Sequence, residues 1–155
     1  MSTTIKRSLK TVYPPMKGLL ELWLLDAEGT LLKYVIDRNL VVNTGRELAA
    51  HEIGEAVNRI GVGTNGAAAE PEDVAPLTQQ YAKAFSGVTY PDERTVRFAF
   101  TLTTNEFNGK TIREFGLLQS LGGNPETWVL FARRGEYDIA KTDAVQVQGA
   151  WTVTF

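Results

Sequence analysis

Glu106 and Glu114 flank an Asn-Gly step and are the chain's candidate pair for hydrolysing a glycosidic bond. In that chemistry one carboxylic acid protonates the leaving oxygen, and a second carboxylate activates water or attacks the sugar. The alternative makes Glu114 and its neighbour Arg113 strand residues engaged in ion pairs or hydrogen bonds, and it is the favoured reading. Trp23, Trp128 and Trp151 could form a sugar platform, yet each lies in an alternating stretch where core burial is an aromatic ring's commoner fate. His51 is the only histidine, so a metal cluster or a Ser-His-Asp triad would rest on it alone. GVGTNG (61–66) lacks the Gly-Lys-Ser/Thr ending that sets a lysine on phosphates, which leaves its glycines as turn or bulge formers. TTNEFNGKTIRE fails as a calcium loop: with Gly109 at the glycine position, Thr104 and Phe115 fall where the first and last ligands belong. No catalytic residue, metal site or cofactor is expected.

The elements around these residues read as strands. Asn108-Gly109 suits a type I′ hairpin turn, which needs positive φ at both central positions. Its expected arms are TVRFAFTLT (95–103), with Val96, Phe98, Phe100 and Leu102 on one face, and TIREFGLL (111–118). LLELWLL (19–25) and TLLKYVI (30–36) flank Asp26-Ala27-Glu28-Gly29 and predict a first hairpin. Thr44 and Glu47 offer a capping box for a short helix over 44–53, ended by Gly54. Residues 59–77 start as a strand and become the longest loop. The stretch 79–90 and the turn chemistry of 91–94 lead into the strand at 95–103 as a second hairpin. TWVLFARR (127–134), after a Gly122-Gly123-Asn124-Pro125 turn, is apolar on both faces and predicts an interior strand. VQVQGAWTVTF closes the chain with Val145, Val147, Trp151, Val153 and Phe155 on one face, so that the last strand runs to the final residue. The expectation is a mainly β fold, an antiparallel sheet or sandwich of hairpins with one short α-helix.

At 155 residues a single domain can bury an ordinary core. The absence of cysteine excludes disulfides, thiolate metal sites and cysteine nucleophiles, and fits folding in a reducing cytoplasm. With 16 Lys+Arg against 18 Asp+Glu the net charge is -2, which provides no overall basic field for nucleic acid. Residues 1–18 carry Lys6, Arg7, Lys10 and Lys17 and no acid. They read as a basic extended arm, kept from helix by Tyr13-Pro14-Pro15, before a single β-rich domain over 19–155. Lys6, Arg7 and Lys10 are candidates for docking on a neighbour, against the alternative of a frayed terminus. No apolar run approaches a membrane span or a signal-peptide core, so no membrane partner is expected.

Three blocks carry a resemblance: NLVVNTGRELAAHEI (39–53), RIGVGTNG (59–66), and NGKTIREFGLL with LFARR (108–118 and 130–134). In this order they resemble the particle-proximal, N-terminal region of phage tail fibre (tail-collar fibre) proteins. The resemblance implies a virion protein of the phage tail, present in the host cytoplasm during assembly. It would attach a fibre to the tail or baseplate, with other tail proteins as partners and a homo-oligomeric state that admits a trimer. Long fibres continue into a shaft and a receptor-binding tip where this sequence stops. The resemblance therefore favours an adaptor or short structural subunit, not an enzyme. Asn108 and Gly109 are then candidates for the turn, Arg113 and Glu114 for polar pairing in the sheet or across subunits, and Phe115, Leu117 and Phe131 for core or interface burial. Gly116 and Arg133 belong to the same candidate set. The rival classes are a carbohydrate-binding or depolymerising tail module and a capsid decoration protein.

Overall fold

The computed structural model describes residues 17–73, 80–122, 124 and 128–155. Lys6, Arg7 and Lys10, the Tyr13-Pro14-Pro15 segment, and Gly123 and Pro125 of the expected turn lie outside the described residues. Internal contacts divide the chain into two units, Met1–Asn43 and Thr44–Phe155, whereas the sequence reading puts its boundary at residue 18. In composition the fold is mainly β, with antiparallel sheets and one helix.

The first unit holds an antiparallel ribbon of β1 (Lys17–Leu25) and β2 (Leu31–Leu40). The turn forms where acidic and glycine residues predict it. Asp26 Oδ1 accepts the backbone N–H groups of Glu28 (3.1 Å) and Thr30 (2.7 Å), and Gly29 takes φ 88°.

Helix α1 (Asn43–Ala56), all but its first residue in the second unit, is followed by β3 (Arg59–Gly63), β4 (Tyr81–Ala84), β5 (Gly87–Asp92) and β6 (Thr95–Leu102). β7 (Lys110–Ile112), β8 (Glu114–Gln119), β9 (Val129–Arg134), β10 (Ile139–Lys141) and β11 (Val147–Thr154) follow. They form a four-stranded sheet β4-β3-β8-β9, a three-stranded sheet β11-β6-β5, and the pair β10-β7. The alternation in β6 buries Val96, Phe98, Phe100 and Leu102. In the four-stranded sheet Ile60, Val62, Phe115 and Leu117 supply the matching apolar face, and the two sets join in one core, with the Phe100 and Phe115 rings 5.9 Å apart. β11 keeps its strict period, with Val147, Trp151 and Val153 packed toward that core.

Four local expectations are corrected. β6 does not pair across the Asn-Gly step; it lies between β5 and β11, while β8 lies between β3 and β9. The positive φ values there belong to Phe107 (55°) and Gly109 (78°), not to Asn108, so the connection is not a type I′ turn. β9 is an edge strand, not an interior one. Leu118 pairs with Leu130 and Leu117 with Ala132, which leaves Phe131 as the extra residue of a bulge that turns its ring outward. The stretch from residue 80 breaks at Phe85-Ser86 into β4 and β5, which serve different sheets. Only β5 makes the expected hairpin with β6, its turn held by Asp92 accepting from Arg94 N–H (2.9 Å) and Thr95 Oγ1 (3.0 Å). Pro91 sits at the irregularity of this edge strand, where its missing N–H costs no ladder bond.

The fourth correction concerns α1, which runs through Gly54 to Ala56. Gly54 is buried beneath the Tyr90 ring: an added Cβ would meet the hydroxyl and come within 2.8 Å of Cζ. This glycine permits close approach and does not end the helix. Glu47 shares a hydrogen bond with the Glu93 carboxyl, which raises its pKa. Alanine at position 54 gains up to about 1 kcal/mol of helix propensity, but overpacking against a ring costs about 1–3 kcal/mol. Gly54→Ala is therefore expected to lower the melting temperature, with partial recovery in Gly54→Ala/Tyr90→Phe. A thermal melt in which Gly54→Ala is the more stable protein contradicts the packing of α1 on β5.

Candidate functional site

The outer face of the four-stranded sheet is built by register. Arg133 stands opposite Gly116, Gly116 opposite Gly61, and Glu114 opposite Gly63, so these residues share one face. Gly116 has no side chain to fill the space beside Arg133. The guanidinium reaches Glu114 through an Nε to Oε2 bond of 2.8 Å, with the two side chains 7% and 1% exposed. Nη1 donates to the Ala68 carbonyl (3.2 Å) and Asp73 Oδ2 (3.1 Å), and Nη2 to the carbonyls of Asn65 (3.1 Å) and Ala67 (3.2 Å). One arginine thus holds the loop after β3 on the sheet from two sides.

The loop answers with its own bonds. Asn65 N–H donates to Glu114 Oε1 (3.2 Å), and Ala67 N–H to Asn65 Oδ1 (3.0 Å). Gly135 passes so close to Ala67 that an added Cβ would collide with the Ala67 carbonyl oxygen, and Glu136 N–H donates to the Gly66 carbonyl (3.2 Å). The Asp73 carboxyl is held below its ordinary pKa by the Glu70 N–H first and by Arg133 after it. Burial acts to depress the Arg133 pKa, but the bonds and charges of Glu114 and Asp73 outweigh it and raise that pKa.

Two smaller clusters tie the connection after β6. Glu106 accepts Lys83 Nζ at 2.7 and 2.9 Å, Tyr81 Oη at 2.9 Å and Thr103 N–H at 2.7 Å. Burial pushes the Glu106 pKa up; the Lys83, Thr103 and Tyr81 bonds overcome it and bring the pKa down to about 2. Lys141, 1% exposed, donates to Asn108 Oδ1 (2.8 Å) and the Thr142 carbonyl (3.0 Å), while Gly109 N–H donates to the Lys141 carbonyl (2.9 Å). Asn108 therefore anchors a buried ammonium in place of the expected turn geometry.

The structure does not bring the candidates from sequence into one place. Glu114, Gly116 and Arg133 meet on the outer face, and Phe115 and Leu117 are in the core on the other face. Asn108 and Gly109 lie with Lys141. Arg113 is half-exposed, 3.8 Å from Asp138, and Phe131 is 38% exposed on the edge strand. Sequence reasoning missed Asn65, Asp73, Gly135 and Lys141; the Asn65-Gly66 step was the one local signal of an anchored loop.

Neither Glu106 nor Glu114 is an uncommitted acid: the first is a carboxylate bonded to Lys83, the second an ion-pair partner of Arg133. His51 is exposed on α1, its ring stacked on Tyr90 at 4.2 Å. Among the described residues no three His, Asp or Glu side chains are grouped to hold a metal ion, and no helix is long and apolar enough to cross a membrane. Trp151 packs against the core, whereas Trp23 is 58% exposed, contrary to the burial expected for it. Trp128 precedes β9, its Nε1 donating to the Gly122 carbonyl (3.2 Å). No protein-family model matches the chain, and no curated protein matches it.

Because the folded-state pKa of Glu106 is depressed, the stability it lends is present above the ordinary glutamate range and is lost as pH falls toward about 2. Glu106→Gln is expected to be the less stable protein at pH 6 and to show a flatter decline below pH 4.5. Parallel acid-denaturation curves for the two proteins would contradict the Lys83–Glu106 pairing.

Proposed function

We propose that this chain is a non-enzymatic structural subunit of a tailed-phage tail or a related contractile particle, attaching or forming part of the tail fibre or baseplate. The carrying observation is that two resembling blocks distant in sequence make one physical unit. LFARR contributes Arg133, NGKTIREFGLL contributes Glu114, and RIGVGTNG contributes the Asn65 carbonyl that accepts from the same guanidinium. A pattern shared across these blocks then has a mechanical reason: it specifies a loop pinned on a sheet, a rigid surface for a neighbouring subunit. On this reading the subunit works by geometry and interface burial. Lys6, Arg7 and Lys10 are its proposed contact to an acidic neighbour.

Glycan binding has one observation in its favour, the exposed Trp23 ring 5.2 Å from Tyr34, with Tyr34 Oη donating to Glu21. Of the polar residues that share this face, Glu21 is already bonded to Tyr34, which leaves Arg38 among the described side chains to fix a sugar's orientation.

Imaging of intact particles carrying a labelled subunit is expected to put the label on the tail or baseplate. Label on the head would favour the decoration reading, and its absence from particles would overturn the proposal. The isolated protein is expected to release no oligosaccharide from host polysaccharide; release abolished by Glu106→Gln or Glu114→Gln would make it a depolymerase.

A further inference from the structure

The β1-β2 ribbon carries apolar side chains on both faces. Directly paired residues of an antiparallel ribbon share a face. The register therefore puts Leu19, Trp23, Tyr34 and Ile36 on one side and Leu20, Leu22, Leu24 and Val35 on the other. Leu20, Leu22 and Leu24 are 43 to 48% exposed, and Trp23 and Leu19 more so. A two-stranded hairpin is at best marginally stable in water, and a large apolar side chain exposed to this extent presents roughly 60–120 Å². At that rate the four side chains of the leucine face present about 200–500 Å² of apolar surface, the size of the largest, often functional, patch of a typical monomer and less than the ~800 Å² per partner of a standard interface.

The charges of the leucine face select the occupant. Asp37 is paired with Leu20, Val35 with Leu22, and Lys33 with Leu24. Asp37 and Lys33 thus lie on the same strand at equal distances from Leu22–Val35, with opposite sign. A two-fold axis through that central pair, perpendicular to the strands, sets the face against its own copy. Asp37 then meets Lys33 of the second copy, twice by symmetry, Leu20 meets Leu24, and Leu22 meets Leu22. The face is complementary to itself, as an isologous interface requires.

We propose that the β1-β2 ribbon is a homo-oligomerisation element that packs its Leu20, Leu22, Leu24 and Val35 face on a second copy of this chain, with Asp37 and Lys33 paired across a two-fold axis. The proposal does not rest on the particle reading: a homodimer found on no particle would leave it standing.

Within one chain Asp37 and Lys33 are four residues apart on an extended strand, about 13 Å, beyond the ~10 Å screening length at ~0.1 M salt. Charge exchange between them therefore reports contact between copies. By sedimentation, the full chain is expected to self-associate. Asp37→Lys and Lys33→Asp should each weaken association at least about tenfold, since like charges placed across an interface cost several kcal/mol. The double exchange Asp37→Lys/Lys33→Asp should restore it, with circular dichroism unchanged throughout. Leu22→Cys, in a chain with no cysteine of its own, should be captured as a dimer by a bismaleimide spanning about 10 Å, the spacing of packed sheets. A native chain that stays monomeric overturns the proposal. So does a double exchange no better than either single variant, or a failure of Leu22→Cys to cross-link.

Discussion

The buried pair of Arg133 and Glu114 is the constraint on which the four-stranded sheet depends. Removing two charges from water costs several kcal/mol per ion, and attraction offsets this only when the remaining donors and acceptors are satisfied. Here they are satisfied by one loop. Arg133 spends its other N–H groups on the carbonyls of Asn65, Ala67 and Ala68 and on Asp73, while Glu114 accepts Asn65 N–H. The pair is tolerable only with the loop in place, and the loop has few apolar anchors of its own. Specificity of one loop conformation, more than net stability, is what such a network contributes.

The same device recurs at smaller scale. Lys83 on β4 bonds the Thr101 carbonyl of β6 and holds the connection after β6 through Glu106, and Lys141 on β10 holds it again through Asn108. In each case a strand cation, partly or fully withdrawn from water, is bonded to a segment that lacks regular structure. Each cation becomes costly if its connection moves away, so strand and connection are coupled. This gives the second unit rigid connections around an apolar core drawn from Val96, Phe98, Phe100, Phe115 and Leu117. The ribbon of the first unit is the opposite case. Its exposed side chains on both faces are largely apolar, Leu20, Leu22 and Trp23 among them.

The fold class was legible because half-buried strands write their period into the sequence: β6 and β11 set their large apolar residues two apart, and Asp26 to Gly29 spell a turn. Pairing was not legible where turn chemistry was taken as evidence of partners. Asn108-Gly109 reports only local backbone preference, and β6 instead pairs with β11, far along the chain, because the two strands bury matching faces in one core. Gly54 shows a second limit, since a glycine that ends a helix and one that admits a tyrosine ring look alike in sequence. β9 shows a third: its apolar residues suggested an interior strand, but the bulge at Phe131 turns one ring to the surface. Of the site, Glu114 and Arg133 were visible as charged residues in apolar strands, whereas Asp73 and Gly135 acquire their roles only through tertiary approach.

If the loop after β3 is pinned by this network, the coupling between Arg133 and Glu114 is the quantity to measure. The most direct test is a double-mutant cycle in denaturant with Arg133→Met, Glu114→Gln and both together. Each single substitution should cost about 3–5 kcal/mol, because the other charge is left buried and unpaired. The double substitution should cost less than the two together by about 0.5–3 kcal/mol, the range for residues in one network. Additive losses would contradict the account, since they would mean that the two charges support the structure independently.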